Sequence, residues 1–533
     1  MGFTEDVLLY DTTLRDGTQG ELINFTAEEK LRIAQRLDEM GFHYIEGGWP
    51  ASNPKDMRFF ELAKGVKFRH ARLTAFGSTR KPYINACDCP NLQAILAAET
   101  PTATIFGKSW DLHVEEIFQI PLEENLSMVE DSIGLLKEKG KEVIFDAEHF
   151  FDGYRENPAY ALEVVRRAFT AGADFIVLCD TNGGTMPFTI FDIVSHVKTL
   201  IPPERLGIHT HNDCGLAVAN SLVATQAGVK MVQGTINGFG ERCGNADLIS
   251  VIGNLQLKMG KRCLPDEALK QLTSLAHYVS DVANIPPLMS NPFVGRSAFA
   301  HKGGVHVSAI TKNARAYEHI PPEVVGNRQR VLVSDLSGKS NIEYKAREMG
   351  IDLGRDDQIS RKIVSVIKAL EDEGYQFDAA EGSLTLLIKK ITGEFQEPFS
   401  LESYQVFSLK VGEGFPLCHA TVKITVGNEV EITAAEGNGP INALDHALRK
   451  ALTKFYPQIQ EMHLVDFKVR IIEGTEGTAA KVRVLLDSRD DHDLWSTIGV
   501  STNIIEAGWQ ALVDSIKYKL SKDGLNKHNT KKV

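Results

Sequence analysis

Several segments of this 533-residue chain carry side chains whose types and spacing can do chemistry. Asp11-Thr12-Thr13-Leu14-Arg15-Asp16-Gly17-Thr18-Gln19 places a carboxylate, a guanidinium and an amide close together. Asp16 can hold a cation and Arg15 an anion, or the two can pair in a solvated loop. In His209-Thr210-His211-Asn212-Asp213 the two histidines stand two apart, so on a strand both imidazoles share one face, an arrangement that ligates metals. Asn237-Gly238-Phe239-Gly240-Glu241-Arg242-Cys243-Gly244-Asn245-Ala246-Asp247 has glycines that let backbone approach a ligand closely. There Asn245 can add a carbonyl oxygen to the same cation, or cap a helix. Asp16, His209, His211 and Asn245 form a mixed nitrogen and oxygen set without thiolate. It suits Mn²⁺, Mg²⁺ or Zn²⁺ with positions left for water or substrate. Asp146-Ala147-Glu148-His149 offers Glu148 to orient a group or shuttle a proton. Cys179-Asp180-Thr181 offers Thr181 to bond a carboxylate, or to cap a turn, and Glu46 stands by to support this shell.

These residues fall at the ends of strand-like runs. The runs are Val7–Tyr10, Tyr44–Glu46, Arg72–Ala75, Ala103–Phe106, Glu142–Asp146, Phe175–Cys179, Gly207–His211 and Met231–Gly234. Amphipathic segments of helical length separate most of them. Thr26-Ala27-Glu28-Glu29 reads as a capping box opening a helix toward Met40, with Gly41 as its stop, and Pro187 opens another that runs toward Leu200. Eight strand–helix units predict an α/β fold, a (β/α)₈ TIM barrel over residues 1–275, whose chemistry sits on the loops after the strands. A doubly wound open sheet usually carries a Gly-rich phosphate turn after its first strand, and the sequence has none there.

The rhythm then changes. Ile285–Gly304, rich in Pro, Ser, Asn and Gly, reads as a connector, and residues 276–395 as connector plus small helical subdomains with a helix Gln358–Asp372. Residues 396–522 repeat a pattern of three strands and a helix, Gln405–Lys454 and Leu464–Leu520, predicting a duplicated α+β domain. Residues 523–533 read as a disordered tail.

Composition narrows the class. Apolar residues at 43% and charged residues at 24% are those of an ordinary globular protein. With 70 acidic against 58 basic residues, a phosphate backbone is an unfavourable partner, so no nucleic acid is expected. Seven scattered cysteines make no disulfide framework, and Cys87 and Cys89 form a lone C-x-C with no second pair. With no basic leader at Met1–Leu9 and no membrane-spanning apolar run, a cytoplasmic enzyme without membrane attachment is expected.

Taken together, the Asp11–Gln19 loop, His209-Thr210-His211-Asn212-Asp213 and the Gly240–Asn245 loop resemble the metal-dependent aldolase-like barrels, and among them the family of 2-isopropylmalate, homocitrate and citramalate synthases. Gly47-Gly48-Trp49-Pro50-Ala51-Ser52-Asn53-Pro54-Lys55-Asp56, and Thr18 where isopropylmalate synthases usually carry Glu, point to its citramalate-forming members. The likeness covers nearly the whole chain. It implies a divalent metal on Asp16, His209, His211 and Asn245, a 2-oxoacid on Arg15 with Gln19 beside it, a carboxylate on Thr181 and an active-site acid at Glu148. In Ala300-His301-Lys302-Gly303-Gly304-Val305-His306, it makes His306, rather than His301, the histidine that a partner subunit supplies on an inserting loop, with Tyr317 beside it. It further implies an acyltransferase condensing acetyl-CoA with pyruvate, a homodimer with shared sites, and regulation by a pathway end product, isoleucine, in the duplicated domain. Phe76 and Phe106, ending the third and fourth runs, would limit the oxoacid side chain to a methyl group. The turns Gly437–Asn442 and Ile498–Asn503 would offer the effector's carboxylate backbone N–H groups. The alternatives are a synthase of the same family taking 2-oxoisovalerate (2-isopropylmalate) or 2-oxoglutarate (homocitrate), a lyase, and a non-catalytic amino-acid sensor.

Overall fold

The computed structural model describes residues 7–351, 353, 357–410, 412–472 and 477–524. They fall into two compact units, one of Met1–Phe299 with Ile320–Arg328, the other of Ala300–His319 with Gln329–Val533. Of the tail expected over 523–533, Asp523 closes the last helix and residues 525–533 lie outside the described residues.

In the first unit, β1 (Leu8–Asp11), β2 (Tyr44–Gly48), β3 (Arg72–Ser78), β4 (Thr102–Lys108), β5 (Glu142–Glu148), β6 (Phe175–Asp180), β7 (Leu206–Thr210) and β8 (Met231–Gly234) form a closed parallel barrel, with β1 pairing to both β2 and β8. Each of the eight runs read from sequence is one of these strands. β4 and β5 extend beyond their apolar runs because each supplies the other's ladder bonds as far as Lys108 and Glu148. The helix Ala27–Met40 opens on Thr26 and Glu29 in a capping box and closes at Gly41, whose φ of 91° is left-handed. The helix from Pro187 ends at Val197, short of Leu200.

Alternation along the strands sorts the core into two layers. Outward residues such as Leu9, Ile45, Ile105 and Ile208 pack under the surrounding helices. Inward residues Tyr10, Tyr44, Ile144, Phe175, Val177, Cys179 and Met231 fill the barrel. Up each strand this inward series turns polar: Ile144 gives way to Asp146 and Glu148, and Val177 to Cys179 and Thr181. The polar ends collect at the mouth, where barrels place their chemistry.

The loop after β2 shows how tightly one such end is built. Gly48 has φ of 152°, and a Cβ there would lie 2.5 Å from Asp56 Cγ. Asp56 accepts the Trp49 N–H at 2.8 Å and pairs with Lys30, both ions being buried. This anchors Trp49 over the mouth.

The second unit begins with two-residue strands β9 (Ala300–His301) and β10 (Arg330–Val331), paired in parallel. Helices Lys339–Glu348, Asp357–Asp372 and Glu381–Thr392 share a small core around Ile342, Ile363, Ile367 and Leu384. β11 (Ser400–Leu409), β12 (Leu417–Val426) and β13 (Glu429–Gly437) form an antiparallel sheet followed by the helix Pro440–Leu452. β14 (His463–Ile471), β15 (Val482–Arg489) and β16 (Leu494–Ser501), with the helix Ile504–Asp523, repeat it. Both helices pack on their own sheets into one core that includes Val422, Leu448, Val484, Leu512, Trp495 and Trp509. The architecture is thus a TIM barrel, a helical middle region and a duplicated α+β domain. No helix among the described residues is long and apolar enough to cross a membrane.

Candidate active site

The loop after β1 is folded by its own polar residues. Asp11 accepts from the N–H and the hydroxyl of Thr13, at 3.0 and 2.8 Å, and Thr13 Oγ1 accepts the Ile236 N–H at 2.8 Å, tying this loop to the turn after β8. Arg15 and Asp16 then turn to the mouth. The Arg15 Nε donates to buried Glu46 at 2.5 Å, and its Nη1 lies 3.0 Å from Asp16 Oδ2. Glu46 also accepts from Thr12 at 2.5 Å and from the Tyr10 hydroxyl. The guanidinium lies over Phe76, 3.7 Å from the ring centre.

Asp16, His209 and His211 converge. His209 Nε2 is 3.3 Å from His211 Nε2 and 3.6 Å from Asp16 Oδ2, and one ligand atom from each of the three lies within 4.8 Å of the others. Asn245 joins them from the β8 loop: its amide nitrogen donates to Asp16 Oδ1 and to the Phe239 carbonyl, both at 3.0 Å. Among the described residues, its oxygen Oδ1 is buried and finds no hydrogen-bond partner. Gly240 makes this fit possible, since a Cβ there would lie 2.2 Å from Asn245 Nδ2.

The electrostatics favour a cation. Burial opposes charge on Asp16, but Arg15 and the two imidazoles outweigh it and hold its carboxyl well below the usual range. Burial, and then His209, pushes His211 down to about 4, so its lone pair is available at neutral pH. An anionic carboxylate, two imidazole nitrogens crowded together and an unpartnered amide oxygen fit a divalent metal ion.

A cleft of about 180 Å³ opens beside this cluster, lined among others by Arg15, Asp16, Gln19, Glu148, Thr181, His209 and His211. The expected residues of the barrel are therefore brought together. Phe76 and Phe106 stack with ring centres 5.4 Å apart, and Trp49 stands edge-on to both, at 5.7 and 5.6 Å. Thr181 Oγ1 accepts the His149 N–H at 2.9 Å, and His149 holds a left-handed φ of 57° just after Glu148. Cys179 also lines the cleft, its thiol raised well above the usual range by burial and by Asp146.

His306 and Tyr317 belong to the second unit, their rings stacked 4.1 Å apart. The expected Gly303-Gly304 loop is instead the start of a helix, Gly304–Lys312, with His306 in its first turn. The reason is long-range: Ser340 donates to the Gly304 carbonyl at 3.1 Å, and Asn341 to that of Lys302 at 2.9 Å. His301 is buried against Glu318 at 3.1 Å, whereas His306 is exposed.

Three mouth residues escaped the sequence reading. Lys108 pairs with Glu148, its register neighbour across β4 and β5. Alternation from Phe106 would have pointed to it. Gln233 lies level with His209 across β7 and β8. Arg242 pairs with Asp213 at 2.7 Å and donates to the Thr181 carbonyl at 2.7 Å. It sits in a Gly-rich loop without periodicity.

The fold and site define a (β/α)₈ enzyme with a cation-binding mouth. Comparison with known proteins agrees along the chain. The HMGL-like family matches residues 6–279, the homocitrate synthase post-HMGL domain-like family residues 293–375, and the LeuA allosteric (dimerisation) domain residues 378–520. The (R)-citramalate synthase of Aquifex aeolicus is 54% identical over 97% of this chain and 98% of its own, and that of Geobacter sulfurreducens 53% over 97% and 98%. A 2-isopropylmalate synthase of Methanocaldococcus jannaschii is 30% identical over 98% and 96%. The chain belongs to the (R)-citramalate synthase family, and is an enzyme of the acyltransferase-type synthases.

Burial raises Asp11 to about 7 against the bonds from Thr13, so in the fold it stays neutral across a range where the unfolded chain ionises it. This group thus costs stability as pH rises from about 4 to about 7, and the cost is complete above that. Asp11→Asn removes the charge and keeps an acceptor for the Thr13 N–H. In urea unfolding, the variant should gain on the parent by about 1–3 kcal/mol between about pH 5 and about pH 8. A difference that does not change with pH would contradict this account.

Proposed function

We infer that this chain condenses acetyl-CoA with pyruvate and water to give (R)-citramalate and CoA, by a Claisen condensation followed by thioester hydrolysis. The near-full-length likeness to (R)-citramalate synthases carries this reading, against the much weaker likeness to a 2-isopropylmalate synthase. Asp16, His209, His211 and Asn245 would hold the divalent ion, Mn²⁺, Mg²⁺ or Zn²⁺, and when bound it supplies the charge that polarises the ketone of a 2-oxoacid.

The chain's own groups do the rest. Arg15, fixed between Glu46 and Phe76, faces the cleft with positive charge for pyruvate's oxygens. Thr181 accepts from His149 on a lone pair and keeps its hydroxyl hydrogen to donate to a carboxylate, and Gln19 offers its amide at the rim. Phe76, Phe106 and Trp49 wall the space for the oxoacid's methyl group. His306 takes a proton from the acetyl methyl, with Tyr317 stacked on it to hold its ring plane. Glu148, held by Lys108, orients that imidazole or the water that cleaves the thioester.

The assembly is a homodimer in which His306 is supplied by the partner subunit. The match to a dimerisation domain supports it, as does the face of the first sheet opposite its helix, where Phe407, Leu409 and Ile432 are exposed. Isoleucine, as end product of the pathway, is the effector of this domain. Asn503 caps its own helix through the N–H groups of Ile505 and Glu506, so the open anion position is at Gly439, where no side chain caps the helix Pro440–Leu452. The cytoplasm is the compartment, in keeping with seven unpaired thiols.

Release of free thiol from acetyl-CoA, followed with each oxoacid and a divalent metal, should give the highest kcat/KM with pyruvate. Larger 2-oxoacids should fall behind by roughly 10- to 200-fold, the effect of overfilling an apolar pocket. Preference for 2-oxoisovalerate or 2-oxoglutarate would make the chain a 2-isopropylmalate or homocitrate synthase instead. His306→Ala and Glu148→Ala chains should each be inactive, and mixing them should restore part of the activity. No recovery, with subunit exchange demonstrated, would place His306 in its own chain's site. Isoleucine should bind the full chain in calorimetry and lower its rate, whereas leucine should do neither at the same concentration. Absence of isoleucine binding would end the regulatory reading.

A further inference from the structure

Behind His209 runs a line of buried polar groups that the condensation does not use. His209 Nδ1 lies 2.9 Å from Gln233 Oε1. The other end of that amide, Nε2, donates to Asp146 Oδ1 at 3.0 Å. Gln233 has no exposure to water, and His209 and Asp146 are each 4% exposed. Three strands contribute, β7, β8 and β5, and His209 and Gln233 are register neighbours.

The roles along this line are determined from one end. A carboxyl oxygen with a lone pair toward Gln233 requires a donor, so the amide must turn its NH₂ to Asp146. Its oxygen is thereby turned to His209, and that oxygen can only accept. The proton of a neutral His209 must then sit on Nδ1, and the lone pair on Nε2, the atom that faces Asp16 and His211. With the amide reversed, His209 would accept at Nδ1 and carry its proton on Nε2, where it cannot ligate a cation. Asp146 plays this part as a carboxylate, and equally as an acid whose proton is on Oδ2.

We propose that Asp146 and Gln233 are positioning residues that fix His209 as the Nδ1–H tautomer and so preset its Nε2 as a ligand for the divalent ion. The inference rests on the cation site proposed above. Groups that orient a ligating imidazole in this way typically change metal affinity by about 10- to 100-fold when removed.

The test is calorimetric titration of the metal-free full-length protein with Mn²⁺. Gln233→Leu removes the acceptor and should weaken Mn²⁺ binding by about 10- to 100-fold, with the unfolding midpoint measured alongside. The exchange variant, Asp146→Asn combined with Gln233→Glu, swaps the amide and the carboxyl between the two positions. The amide, now on β5, donates to the carboxylate, now on β8, and that carboxylate still accepts from His209. Affinity should return to within a few-fold of the parent. Asp16→Ala serves as the reference. If it binds Mn²⁺ like the parent, the cation site itself is misassigned. If Asp16→Ala loses binding while folded Gln233→Leu keeps parental affinity, the tautomer proposal is overturned and the site stands. Should Gln233→Leu fail to fold, the exchange variant decides, and a loss greater than about 10-fold in it overturns the proposal.

Discussion

A carboxylate with no contact with water, Glu46, organises the mouth of this barrel. Buried carboxylates are costly unless every oxygen is matched. Here Tyr10, Thr12 and Arg15 all donate to it, from the strand and loop next in the barrel. The guanidinium that results is almost immobile: one edge is bonded to Glu46, one face lies on Phe76 and a further nitrogen reaches Asp16. Asp16 in turn owes its charge to that guanidinium and to the imidazoles. Arg15 and the Asp16 cluster are therefore one electrostatic unit, and a change at Glu46 would be felt in both.

Legibility in the sequence followed the range of the interactions. The strands were readable because alternation and apolar runs are local, and the first helix because Thr26 and Glu29 are three residues apart. The duplicated domain was readable because the same order of strands and helix occurs twice. The set proposed to hold the metal could be assembled because each member ends a strand or lies in the loop after one. Alternation could place Lys108 on the inward face, but its pairing with Glu148, like those of Gln233 with Asp146 and Arg242 with Asp213, was not legible, since each joins segments distant in the chain. The Gly303-Gly304 pair was read as a loop for the same reason: the contacts from Ser340 and Asn341 that stabilise a helix there come from elsewhere.

Some of the left-handed backbone lies at the barrel mouth. His149, Asn237 and Arg242 all hold left-handed φ angles, and all lie on loops that follow barrel strands. Such positions persist only when surrounding bonds over-determine them. His149 is held through Thr181 and Arg242 through Asp213, so the left-handed residues are tied to the residues in and beside the cleft. The lower barrel, filled by Tyr44, Phe175 and Met231, carries the packing and leaves the upper layer free to be polar.

The thiol in the cleft has a chemical meaning of its own. Cys179 stands one strand from His209, in register with it, yet burial and Asp146 keep its proton in place. Soft, thiophilic ions and electrophiles require the thiolate, which this setting withholds. The mouth thus presents nitrogen and oxygen donors beside a sulfur that is chemically quiet. The same desolvation that shapes the pocket therefore shields this one thiol from alkylating and oxidising reagents, which act on thiolates.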